Sequence, residues 1–84
     1  MQLIPFDNRD GFIWMNGSII KWNQAKIHVL NHGLHYGSCV FEGIRVYKKK
    51  IFKLKEHVTR LFLSAEILDL KIPFSETEIT KCIE

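Results

Sequence analysis

The sequence holds little of what marks a secreted, metal-stapled or membrane-spanning chain. Its two cysteines among 84 residues, Cys39 and Cys82, stand far apart with no C-x-x-C spacing. That argues against a disulfide framework and a zinc ribbon, and both read as reduced packing residues. No run approaches the roughly 20 apolar residues of a membrane helix. The early charges Asp7, Arg9 and Asp10 leave no apolar signal-peptide region, so the expected compartment is the cytoplasm. Walker-type glycine loops, G-x-G-x-x-G and a Ser-His-Asp order are all missing. Acidic residues are absent between 11 and 41, which leaves His28, His32 and His35 without an evident outer shell. Gly33 and Gly37 weaken the helix that would align those imidazoles. They read as loop histidines bonded to backbone, not as metal ligands.

What is present fits one small domain over residues 1–84, with 46% apolar positions and 12 Lys+Arg against 9 Asp+Glu, a formal charge of +3. So short a chain buries only about 60% of the surface its unfolded form exposes, and it folds alone or leans on a neighbour. The basic residues are spread out, and the one run, Lys48-Lys49-Lys50, reads as a solvated hairpin tip. A nucleic-acid binder rests on charge alone.

Local patterns give the elements. Asn16-Gly17 is the preferred pair for a type I′ turn, and it joins two strand-like runs, so residues 12–22 read as a hairpin. Residues 25–37 have no sustained period and read as a structured loop with a short helical turn. From 38 to 47 the chain alternates: Cys39, Phe41, Gly43, Arg45 and Tyr47 on an odd face, Ser38, Val40, Glu42, Ile44 and Val46 on an even one. The even face, with three β-branched residues, suits a core, whereas the odd face suits a ligand pocket. The lysine tip at 48–50 and a strand through Ile51–Leu54 complete a second hairpin. Val58, Leu61, Phe62, Ala65 and Leu68 recur at helical spacing, with His57, Arg60 and Ser64 on another face. Pro73 is expected to end that helix, and Ser75-Glu76-Thr77-Glu78 is a capping-box pattern opening another. The chain then stops without a C-terminal helix signal, which reads as an end inside an element. The fold class is α+β, two β-hairpins packed against two helices.

Two arginines carry candidate chemistry, because a guanidinium fork binds carboxylate or phosphate through two parallel hydrogen bonds. Arg60 stands four residues after Glu56, so a solvated ion pair also accounts for it. Arg45 shares the odd face with Phe41 and Gly43, which favours a pocket role for it.

The stretch His28-Val29-Leu30-Asn31-His32-Gly33-Leu34-His35-Tyr36-Gly37, followed by Val40-Phe41-Glu42-Gly43-Ile44-Arg45-Val46-Tyr47, resembles the N-terminal part of branched-chain amino acid aminotransferases, pyridoxal-phosphate enzymes of fold type IV. Ile13-Trp14-Met15-Asn16-Gly17 and Glu56-His57-Val58-Thr59-Arg60-Leu61 match in order and spacing, so the resemblance covers nearly the whole chain. D-amino acid aminotransferases and aminodeoxychorismate lyases share the Tyr-Gly and Arg-Leu features, whereas Phe-Glu-Gly-Ile-Arg points to the branched-chain group.

The resemblance implies the small N-terminal domain of such an enzyme, in which Arg60 grips the pyridoxal 5'-phosphate cofactor through its phosphate. It makes Tyr36, Phe41, Gly43 and Arg45 part of the substrate pocket, with Tyr36 lining that pocket or reaching a partner subunit. It further implies amino transfer between leucine, isoleucine or valine and 2-oxoglutarate, and a homodimer or higher homo-oligomer. The lysine that holds the cofactor belongs, in this family, to a second domain, and no lysine here matches its motif. The 84 residues by themselves are therefore expected to be inactive. The alternative from another class is a non-catalytic dimerisation or interaction module left by a shortened gene.

Overall fold

A computed structural model describes residues 9–84; Asp7, part of the N-terminal charge pattern, lies outside them. The chain separates into two compact units, one reaching Asn31 and one beginning at His32.

In the first unit, β1 (Phe12–Met15) and β2 (Ser18–Lys21) pair antiparallel, with Ile13 opposite Ile20 and Trp14 opposite Ile19. The turn is the expected one: Asn16 and Gly17 have φ of 50° and 94°, both left-handed, and their backbone twist matches that of the flanking strands. The open end is closed by the Trp22 amide donating to the Gly11 carbonyl at 3.0 Å. Trp22 leaves the strand for a 3-10 turn over Trp22–Gln24, so the hairpin ends one residue earlier than the alternation implies.

The second unit opens with a single helical stretch, α1 (His32–Tyr36), the short helical turn expected within 25–37. Gly37 ends it at φ 69°, a conformation with little penalty only for glycine. The strand expected over 38–47 is a correction. Only its last two residues form β3 (Val46–Tyr47), which pairs with β4 (Lys50–Ile51). The Phe52 amide extends this ladder by donating to the Arg45 carbonyl at 2.8 Å. Residues 38–45 pair with no strand among the described residues, yet their burial alternates as expected: Ser38, Val40, Glu42 and Ile44 are half-buried, and Cys39, Phe41, Gly43 and Arg45 exposed. The pattern recorded which face is covered. It could not record a ladder partner, which is a property of distant chain. The expectation for the even face fails at Val46, which is exposed, and Cys39 is exposed where a packing residue was expected.

The lysine tip is tighter than expected. Lys48 and Lys49 form the two-residue turn, both left-handed at φ 48° and 65°, while Lys50 belongs to β4. Leu54 is not in a strand but starts α2 (Leu54–Ile67). Pro73 does not end this helix. The Asp69 amide donates to the Glu66 carbonyl and the Leu70 amide to the Ala65 carbonyl, with Asp69 left-handed at φ 57°. That is a Schellman closure, which satisfies the last helical carbonyls well before the proline. The capping box forms as read: the Glu78 amide donates to Ser75 Oγ and the Ser75 amide to Glu78 Oε1, both at 3.1 Å, opening α3 (Glu76–Ile83).

Val58 and Ala65 of α2 and Ile79 of α3 are the buried apolar residues among those described, which gives the second unit a small core between its two long helices. Thr59 Oγ1 donates to Glu76 Oε1 at 2.9 Å and ties the same helices at their edge. The stripe at helical spacing thus marks the core, except at Leu68, which lies past the helix end and is exposed.

Candidate functional site

The chemistry concentrates on the first two turns of α2. His57 and Arg60 are three residues apart, so helical geometry places them on one face. Facing them is Glu42, the single acid on the half-buried side of residues 38–45. Its side chain is only 9% exposed, and a carboxylate so enclosed demands partners.

It has them on both oxygens. Arg60 donates from Nε to Oε2 at 2.8 Å and from Nη2 to Oε1 at 2.7 Å, a two-point fork. His57 Nδ1 lies 2.6 Å from Oε1. An ionised carboxylate only accepts, so the ring proton of His57 sits on Nδ1. Nδ1 then has no lone pair for Arg60, and the 3.4 Å approach of Nη2 to the ring is proximity within the cluster.

Electrostatics follow from this geometry. The Arg60 hydrogen bonds, and after them the His57 contact, hold the Glu42 carboxyl down at about 2, against an opposing effect of burial. Reciprocally, Glu42 raises the pKa of Arg60. The ion pair expected between Arg60 and Glu56, one turn apart, is corrected to a tertiary pair with Glu42.

The fork uses one edge of the guanidinium and leaves the other open. Nη1 has no hydrogen-bond partner among the described residues, and the Arg60 side chain is 65% exposed. It borders an open cleft of about 280 Å³ with Lys53, Glu56 and His57. A planar fork with a free end beside a second cation fits a phosphate monoester, which accepts parallel N–H bonds. A larger furrow lined by Phe62, Leu63 and Leu70 has no comparable donor cluster.

None of the other sequence-derived residues contributes a hydrogen bond to this cluster, although Phe41 and Gly43 flank Glu42 in the chain. Tyr36 stands at the end of α1, its ring centroid 4.6 Å from that of His32. Phe41 is 87% exposed. Gly43 has no positive φ, and a Cβ there would meet nothing within 4 Å, so the chain itself gives no reason for glycine. Arg45 donates from Nη1 to the Tyr47 hydroxyl at 3.3 Å, and Tyr47 meets Phe52 edge to face. Tyr36, Phe41 and Arg45 are not brought together into one cluster by these contacts. What Phe41, Gly43 and Arg45 share is one exposed face.

Of the loop histidines, His28 Nδ1 accepts from the Leu30 amide at 3.0 Å. No group of three or more His, Cys, Asp or Glu residues among those described is placed to hold a metal ion. Nor is any described helix long and apolar enough to cross a membrane.

Sequence reasoning missed Glu42 and His57 as members of the site. One signal was available: a lone acid between Val40 and Ile44 on an otherwise non-ionic face needs a cation, and Arg60 stood on a helix face with His57.

Residues 39–84, more than half the chain, match the Amino-transferase class IV family, and the chain belongs to that family. Its particular likeness is to branched-chain enzymes. A probable branched-chain-amino-acid aminotransferase of Rickettsia typhi is 55% identical over 73 residues, covering 87% of this chain and 25% of the relative. The branched-chain-amino-acid aminotransferase of Pseudomonas aeruginosa is 47% identical over 78 residues, covering 88% of this chain and 25% of the relative. Among solved structures, the T.th. branched-chain amino acid aminotransferase complexed with N-(5'-phosphopyridoxyl)-L-glutamate superposes with a TM-score of 0.84 at 48% identity. That match covers 89% of this chain and 26% of the other. The α+β arrangement of two hairpins and helices is thus that of fold-type IV aminotransferases. The chain spans about a quarter of the length of the curated relatives it matches.

Proposed function

We propose that these residues are the N-terminal domain of a pyridoxal-phosphate-dependent branched-chain amino acid aminotransferase, which moves an amino group between leucine, isoleucine or valine and 2-oxoglutarate. Arg60 is the phosphate contact. The observation that carries the reading is its guanidinium, pinned along one edge by Glu42 and open along the other. The cofactor, when bound, supplies the electron sink for the reacting carbon. This chain's residues bind and orient. Arg60 anchors the phosphate end, while Phe41, Gly43 and Arg45 on one exposed face, with Tyr36 nearby in sequence, form a wall with an apolar part for a branched side chain and a polar end. The empty space around Gly43 supports that assignment, since its bare backbone is not required by this chain's own packing.

The lysine that holds the cofactor lies in a second domain outside these 84 residues, so the domain alone does not transaminate. The working enzyme is a cytoplasmic homodimer or larger homo-oligomer. Exposed apolar side chains outside that wall, such as Leu34 and Val46, are consistent with further protein covering this domain.

The test is made on the full-length protein. Arg60→Ala is expected to weaken pyridoxal 5'-phosphate binding by at least tenfold, about 1.4 kcal/mol or more, in the range of a lost charge-assisted hydrogen bond. Titration of the apoenzyme followed by absorbance measures it. Unchanged affinity overturns the assignment of Arg60.

A further inference from the structure

We propose that Glu42 is a positioning residue for Arg60, with His57 as its second anchor, and that this cluster sets the direction in which the phosphate-binding edge of the guanidinium points. The proposal rests on the reading of Arg60 as the phosphate contact and deepens it.

Three observations carry it. First, Glu42 commits both oxygens to this cluster: Oε2 takes Nε of Arg60, and Oε1 takes Nη2 and His57 Nδ1, at 2.8, 2.7 and 2.6 Å. Second, a guanidinium is planar, so fixing the edge that bears Nε and Nη2 also fixes where Nη1 points. An arginine two-thirds exposed would otherwise sample many rotamers, and an anion would have to order it on binding. Third, Glu42 comes from a different part of the chain. Phe41 and Gly43 flank it on the opposite, exposed face. The fork therefore ties the segment that carries the substrate wall to the helix that carries the phosphate contact. Where the substrate's side chain sits relative to the cofactor's phosphate is then set by one ion pair.

Charge alone predicts the opposite of positioning. A carboxylate 2.7–2.8 Å from the guanidinium lowers the local positive potential, so neutralising it should tighten phosphate binding if electrostatic attraction were all that mattered. If Glu42 positions Arg60, neutralising it should loosen binding.

The experiment uses the full-length protein, stripped of cofactor and titrated in parallel with pyridoxal 5'-phosphate and with pyridoxal, which lacks the phosphate. Glu42→Gln is expected to raise the dissociation constant for the phosphorylated ligand about tenfold, the lower end of what losing an outer-shell partner costs at metal sites. The pyridoxal constant should stay unchanged, and in an Arg60→Ala background Glu42→Gln should have no further effect. Glu42→Asp, which keeps the charge but shortens the reach, should fall between wild type and Glu42→Gln, again for the phosphorylated ligand only; it carries the test if Glu42→Gln does not fold. Tighter or unchanged phosphate binding in Glu42→Gln overturns the proposal, as does equal weakening of both ligands or an effect that persists without Arg60. If Arg60→Ala itself leaves the phosphorylated ligand unaffected, the phosphate reading of Arg60 falls and this one with it. Normal loss in Arg60→Ala with none in Glu42→Gln removes the positioning role alone.

Discussion

Glu42 and Arg60, far apart in sequence, meet in a two-point fork with contacts of 2.8 and 2.7 Å. The pair joins residues 38–45, which have no strand partner among the described residues, to α2. It fastens by side chains a segment whose one ladder bond among the described residues is that from the Phe52 amide to the Arg45 carbonyl.

A pH dependence follows from that fork. The Glu42 carboxyl titrates at about 2 in the folded protein, below its ordinary 4.5. A depressed carboxylate stabilises the fold fully above its unfolded value, and that contribution fades as pH falls from about 4.5 toward 2. The difference in unfolding free energy between wild type and Glu42→Gln should therefore be flat above about pH 5 and shrink through that acid window. Denaturation at a series of pH values measures it, and a difference that grows on acidification would contradict the fork.

Phe41 offers a separation of fold from function. Because it is 87% exposed, Phe41→Ala should change stability by less than about 0.5 kcal/mol, the range for surface substitutions. In the full-length protein the same change should raise KM for branched-chain substrates. Thermal unfolding and steady-state kinetics read the two effects, and a stability loss of several kcal/mol with unaltered KM would return Phe41 to a packing role.

The Lys48-Lys49 turn holds two side-chain-bearing residues at positive φ, where non-glycine residues other than Asn and Asp are disfavoured by about 1 kcal/mol each. Replacing them with Asn and Gly, as at Asn16-Gly17, should raise stability by roughly 1 kcal/mol without moving β3 or β4. Urea denaturation checks this. A loss of stability would show that the lysines make compensating contacts of their own.

Much of this was legible from the chain alone because it depends on neighbours in sequence. Asn16-Gly17 forms its turn since two adjacent residues tolerate left-handed φ. Ser75 and Glu78 bond to each other's amides. The period of α2 records the face that carries Val58 and Ala65, and the period of 38–45 records its covered side. Helix ends were less legible. Asp69 enters the left-handed region and closes α2 well before Pro73; aspartate tolerates that conformation but is common elsewhere, so its presence is a weak signal.

Local order along the chain was enough for the Asn16-Gly17 turn, the capping box and most element faces, because these follow from φ/ψ preferences and side-chain spacing over a few residues; the family was legible through the resemblance of its motifs. Folding in three dimensions was needed to settle that Arg60 takes Glu42 instead of Glu56, that His57 joins them, and that 38–45 alternates without a strand partner among the described residues. Those outcomes turn on which distant groups desolvate one another. A half-buried carboxylate takes whichever cation the fold presents to it, and spacing along the chain does not say which that is.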